Sequence, residues 1–341
     1  MTANRNLKRR VRARAAKTGE SYTAALRHFR PTPRGVELSE ATTTGAKLLR
    51  LAVAQSALCA DPGDVDGLRA AGSDVRVLMR EARAAGARIA HFPEGAACSP
   101  DKRAVSADGP DRVGPADWDR FAWDVLVEEL AETASLAAEL GLWTVLGSVH
   151  RLTGPHRPHN SLYVISDQGE VVTRYDERLL SRTKVDYLYS PGTEPLTFDV
   201  DGVRFGCALG IECHFAEVFA EYERLDVDCV LFSTTGGVND LAFATEAQGH
   251  AAANGYWVSF AVLAPHSAEA PSGLIGPGGD WLARCPADGR SAVVVADIDE
   301  SAPEVEIPVF RARTWRRTAR SGNIYAPRVV EDPRSADRGS F

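Results

Sequence analysis

The chain has 341 residues, 44% of them hydrophobic, with 39 basic and 46 acidic side chains and a formal net charge of −7. That is enough apolar material for one large α/β domain or two smaller ones, and the negative balance argues against nucleic acid as the main partner. No apolar run reaches the length that spans a bilayer.

The Arg-rich N-terminus lacks the apolar core of a signal peptide, which predicts a cytoplasmic protein. Cys59, Cys98, Cys207, Cys213, Cys229 and Cys285 are scattered without paired spacing, so they read as reduced thiols with no zinc site. His150, His159, His250 and His266 show no metal-ligand spacing either, and no cofactor is expected. Only five basic residues are lysine (Lys8, Lys17, Lys47, Lys102 and Lys184); the others are arginine.

Along the chain, residues 1–30 form a basic arm with nine Arg or Lys against one acid, Glu20. Leu7, Val11 and Ala15, then Tyr22, Leu26 and Phe29, recur at helical spacing on either side of Thr18-Gly19. Residues 31–47, with Pro31, Pro33, Gly35 and Gly45, read as a linker. From residue 48 the pattern becomes a series of buried strands and amphipathic helices. Strands are predicted at 49–55, 87–92, 143–148, 203–209, 228–233, 256–263 and 292–298, with helices at about 66–86, 118–140 and 215–225. Residues 160–165 and 170–175 flank Asp167-Gln168-Gly169 as a hairpin. Residues 301–341, rich in Arg, Pro and Ser, read as a tail that wraps loosely or docks on a partner. The mixture of helix-linked strands and a hairpin predicts a layered α/β domain over residues 48–300.

The order of several segments resembles the nitrilase superfamily of carbon–nitrogen hydrolases. They are Leu51-Ala-Val-Ala-Gln55, His91-Phe-Pro-Glu94, the hairpin from His159 to Tyr175, Ser190-Pro-Gly192 before Phe198, Gly206–Glu217, and Ile275-Gly-Pro-Gly-Gly279. The resemblance implies a four-layer αββα sandwich that self-associates as a homodimer or larger homo-oligomer, here with the basic arm as an N-terminal extension. It also implies a site built from two glutamates, a lysine and a cysteine. In that chemistry a thiolate attacks a nitrile or amide carbon, a glutamate shuttles protons, and an ammonium steadies the developing charge.

Taken residue by residue, Glu94 falls on the first glutamate, at the end of a strand. The lysine of the Tyr-x-Lys motif falls on Glu177, after Tyr175-Asp176, and the second glutamate falls on Lys184. Acid and base thus stand in exchanged positions. Placing Phe215-Ala216-Glu217 on the end of the nucleophile motif puts Glu212 on its acidic position and Gly210 on the cysteine, with no gap. A glycine there suits a sharp elbow and would leave empty the space of a thiol. Cys213, three residues on, is the rescue candidate for the nucleophile. Cys207 should face the other way as a small buried hydrophobe. Thr234 and Thr235 follow a strand, where they either line the pocket or form an ordinary loop.

Three functional readings follow. The first is a repurposed acid–base enzyme using Glu94, Glu177 and Lys184 on a small C–N compound. The second is an amidase-type hydrolase using Cys213. The third is a nitrilase-fold binding or scaffold protein without turnover. Gly210, Glu212, Thr234 and Thr235 are the expected substrate-binding set. The expected partners are a small C–N ligand and copies of the chain itself, with no membrane. Nucleic acid could be reached only through residues 1–30, whose apolar stripes ask instead for a protein surface to cover them.

Overall fold

Continuous apolar runs fold as strands covered on both faces, and runs with helical periodicity fold as the covers. A computed structural model describes residues 46–236 and 240–339. The expected basic arm and almost all of the linker lie outside the described residues. The first half of the domain runs β1 (Leu48–Gln55), α1 (Val65–Ala84), β2 (Ile89–His91), α2 (Trp123–Leu140), β3 (Trp143–His150), β4 (His159–Ile165) and β5 (Val171–Asp176). The second half runs β6 (Thr197–Val200), β7 (Val203–Leu209), α3 (Ala216–Arg224), β8 (Cys229–Thr234), α4 (Asp240–Asn254), β9 (Trp257–Val262), β10 (Gly273–Ile275), β11 (Trp281–Arg284) and β12 (Ala292–Asp299).

The strands make two six-stranded sheets, ordered β12-β1-β2-β3-β4-β5 and β11-β10-β9-β8-β7-β6. Three apolar cores define the layering. Leu51, Val53, Ile89, Val145, Phe205, Leu209 and Leu231 interdigitate between the sheets. The stripe Leu68, Ala71, Val75, Leu78, Met79 and Ala82 of α1 meets α2 and the outer face of the first sheet. Val218, Phe219 and Tyr222 of α3, with Phe243, Ala247 and Ala251 of α4, cover the second sheet. The result is the αββα sandwich that the resemblance implies. None of the helices among the described residues is long and apolar enough to cross a membrane.

Two short strands, β10 and β11, are absent from the sequence reading, because three or four residues carry too little alternation to read. The first part of the tail, up to Arg320, differs from its reading as a loose or partner-bound segment. Val305 and Val309 are buried in the inter-sheet core. Helix α5 (Thr314–Arg320) is held to the domain by Arg317 and Arg320, whose guanidinium groups meet the buried Glu223 carboxylate at 3.1 and 2.6 Å. Arg313 donates to the carbonyl of Val227 at 2.8 Å. An arginine-rich segment is retained here because buried carboxylate and carbonyl oxygens need donors.

One polar contact links the sheets directly. His91, fully buried on β2, lies between Ser233 Oγ at 2.7 Å from Nε2 and Ser259 Oγ at 2.8 Å from Nδ1. Ser233 Oγ already donates to the Phe92 carbonyl. It therefore accepts from Nε2–H, and Nδ1 accepts from Ser259. Burial pushes the His91 pKa down to about 3 from 6.5, so the folded ring stays neutral where the unfolded one takes a proton. A depressed folded pKa gives stability that is full above the unfolded pKa and lost as pH falls. Between about pH 7 and about pH 5 this group should remove about 2 kcal/mol of unfolding free energy. Urea unfolding at both pH values should show that fall in the wild type and a smaller one in His91→Gln; equal slopes would contradict the assignment.

Candidate active site

Strands β1, β2 and β3 run parallel to one another, as do β7, β8 and β9. The C-terminal ends of β2, β7 and β8 deliver Glu94, Gly210 and Thr234 to one edge of the sandwich, the usual location of a site in such sheets. The hairpin brings its own contribution to this edge. Asp176 at the end of β5 pairs with Ser161 near the start of β4, and Glu177 N donates to the Asn160 carbonyl. The loop carrying Glu94 lies directly on β3. A Cβ at Gly147 would stand 2.0 Å from the Pro93 carbonyl oxygen, so only glycine admits this approach.

Glu94, Glu177 and Lys184 meet there. Lys184 Nζ, from a short π-helical turn spanning Lys184–Leu188, lies 2.5 Å from Glu94 Oε1 and 2.7 Å from Glu177 Oε2. Asn160 Nδ2 donates to the same two oxygens, at 2.9 and 2.6 Å. Thr235 N donates to Glu94 Oε2 at 3.2 Å. Glu177 Oε1 is buried and takes no hydrogen bond. Burial raises the Glu177 pKa from 4.5 to about 8; the neighbouring Glu94 and Glu212 carboxylates push the same way, and Lys184 opposes them. For Lys184 burial alone would lower the pKa, but the two carboxylates together outweigh it and raise it. The exchange of residue types along the chain therefore leaves two carboxylates and one ammonium in mutual contact.

Gly210 completes the group in a way the sequence reading did not foresee. The space beside its α-carbon is occupied. A Cβ there would lie 3.0 Å from Glu177 Oε1, 3.1 Å from Lys184 Nζ and 3.2 Å from Glu94 Oε2. The residue also has φ +51°, the left-handed region that favours glycine. The charged heads have closed over the elbow where the resemblance would put a thiol. An adjoining cavity of about 220 Å³ is lined by Glu94, Lys184, Lys102, Gly210, Tyr189, Thr234 and Thr235, with Glu177 fully buried behind Lys184 and Glu94.

Two expected site residues lie elsewhere. Cys213 does not line the cavity. It is buried in the core between the second sheet and α4, with Sγ facing the Phe243 carbonyl at 3.6 Å. Burial pushes its thiol well above the usual range, away from the reactive thiolate. Glu212 does not touch the cavity either. Its carboxylate accepts from Tyr175 Oη at 2.7 Å, Leu209 N at 2.8 Å, Arg178 N at 2.7 Å and Leu179 N at 3.2 Å. It therefore clamps the Gly210 elbow to the segment that carries Glu177. Asn160 and Tyr189 were missed as site residues. The signal for Asn160 was its place across the hairpin from the end of β5, which sets it beside position 177.

The αββα sandwich, with Glu94 at a parallel strand end and Glu177 and Lys184 brought to it by the hairpin and a π-helical turn, is of the nitrilase-superfamily class of fold. The family model for carbon–nitrogen hydrolase matches residues 42–305, and the chain belongs to that family. A search of curated protein sequences found no match. Among solved structures, the chain is similar to a mutant of the Nesterenkonia amidase of the nitrilase superfamily (TM-score 0.62, 16% identity, covering 81% of this chain and 97% of that one). A mutant of that amidase in complex with butyramide matches similarly (TM-score 0.61, 17% identity, 81% and 96% covered). Another carries the acetamide moiety of fluoroacetamide covalently on its active-site cysteine (TM-score 0.62, 16% identity, 81% and 97% covered). Glutamine-dependent NAD+ synthetase from Acinetobacter baumannii matches over 74% of this chain and 46% of its own (TM-score 0.59, 15% identity).

Removing the ammonium should expose the cost of the arrangement. Lys184→Met leaves two carboxylates buried against each other, a change that typically costs about 3–5 kcal/mol. A carboxylate whose folded pKa is raised contributes stability that is full below its unfolded pKa, near 4.5, and lost as pH rises through its folded value. The loss in Lys184→Met should therefore be larger at about pH 8 than at about pH 5. Denaturant unfolding at both pH values checks this, and a pH-independent loss would contradict it. Gly210→Ala should lose about 1–2 kcal/mol in the same assay, from its positive φ and the crowding at Cβ.

Proposed function

We propose that the cavity binds a small carboxamide and hydrolyses it with water as the nucleophile, without a covalent acyl-enzyme. The observation that carries this reading is Glu177, whose free Oε1 faces the Gly210 elbow beside Lys184 and Glu94. With its pKa raised to about 8, Glu177 is protonated near neutral pH and can donate to a leaving nitrogen. Glu94, hydrogen-bonded by Lys184, Asn160 and Thr235 N, takes the proton from water. The water oxygen bonds to the carbonyl carbon, the C–N bond breaks, and the nitrogen leaves with the Glu177 proton. Lys184 supplies positive charge for the developing oxyanion. The choice of an amide rests on the family and on the butyramide held by the amidase of similar fold.

The reading of the protein as a pure binding module differs in one respect, the absence of turnover. Ammonia release from butyramide and other short aliphatic amides, beside calorimetric binding of the same compounds, separates the two. Turnover should persist after iodoacetamide treatment of the folded protein and fall by about 10²-fold or more in Glu177→Gln. In the wild type kcat should decline as pH rises through about 8, where Glu177 gives up its proton. Binding without ammonia release would establish the binding module. Turnover abolished by stoichiometric alkylation of Cys213 would establish the thiol hydrolase.

A further inference from the structure

The segment after β1 and the segment after β2 run against each other beside the cavity. Ser99 N donates to the Cys59 carbonyl at 2.9 Å, and Asp101 N donates to the Ala60 carbonyl at 2.8 Å. These two bonds hold Cys59 and Cys98 side by side in one apolar cluster, at 5% and 0% exposure. Cys59 Sγ donates to the Asp61 carbonyl at 3.5 Å, which leaves the Cys98 thiol beside it without a carbonyl partner of its own among the described residues. Cys207 and Cys229 sit between the sheets, Cys213 lies under α4, and Cys285 Sγ faces the Val53 carbonyl. Cys98 belongs to the same loop as Glu94, and the Ser99 and Pro100 that follow it line the cavity wall.

We infer that Cys59 and Cys98 form a reversible disulfide that staples the Glu94 loop to the segment after β1. The backbone bonds keep the two residues adjacent before any bond forms, so closing it needs only a small displacement of one loop against the other. Cys59 is the attacking thiol, being the less buried, and the neighbouring Cys98 thiol lowers its pKa. With hydrogen peroxide as oxidant, Cys59 sulfur bonds to one peroxide oxygen, the O–O bond breaks, and the leaving oxygen takes up the thiol proton and departs as water. Cys98 sulfur then attacks the sulfenic sulfur, the S–O bond breaks, and a second water leaves. Two thiols are oxidised by two electrons, and one hydrogen peroxide becomes two waters.

The test uses the full-length wild-type protein with hydrogen peroxide. After alkylation of the remaining thiols under denaturing conditions, digestion and mass spectrometry should recover a Cys59–Cys98 linked peptide, with the other four cysteines alkylated. The intact mass should fall by two hydrogens, the melting temperature should rise, and dithiothreitol should reverse both changes. Cys59→Ser and Cys98→Ser should each abolish the linked peptide. Recovery of both cysteines as alkylated thiols, their separate oxidation to sulfinic acids, or a linkage to any other cysteine would overturn the inference. These outcomes are independent of whether the cavity turns over an amide.

Discussion

The contact of Lys184 with Glu94 and Glu177 constrains everything around it. Three ionisable heads share a buried site, and one ammonium cannot fully neutralise two carboxylates. The arrangement holds because Asn160 adds donors to the same oxygens, and because Glu177 meets the remaining charge by raising its proton affinity. A buried group of this kind is weak evidence of stability. On the function proposed above its explanation is chemical, since a carboxyl that exchanges a proton near neutral pH suits acid–base work on a C–N bond.

Much of the surrounding structure serves to hold these heads together. Glu212 gathers four donors from three places in the chain and so fixes the elbow at Gly210 against the start of the loop after β5. Gly147 lets the Glu94 loop rest on β3. His91, three residues before Glu94, ties β2 to both β8 and β9 through two serines. Each of these residues sets the position of a member of the charged group or of the Gly210 elbow, which is how a site is held precisely.

The elbow at Gly210 leaves little room for any side chain. A side chain at position 210 would have to displace three charged heads and adopt a positive φ. Any side chain there would share its space with Glu177, Lys184 and Glu94. The rescue candidate for the nucleophile, Cys213, is turned into the core behind the second sheet, where burial suppresses its thiolate.

What the sequence determined by itself was the set of elements and residue types. Long apolar runs such as 49–55 and 203–209, and the helical stripe of α1, were legible because burial on two faces or one imposes its period on the chain. The motif around Glu94, the acid at 177, the lysine at 184 and the glycine at 210 could likewise be read directly. Tertiary structure alone decided which of these meet. That Glu177 and Lys184 touch depends on a hairpin register and a loop return, which residue spacing does not encode. That Glu212 is a clamp and Cys213 a core residue depends on the direction of each side chain around a 3-10 turn at 210–214, where neither helical nor strand periodicity applies. Position along a chain fixes what chemistry is present; only packing fixes the distances at which it acts.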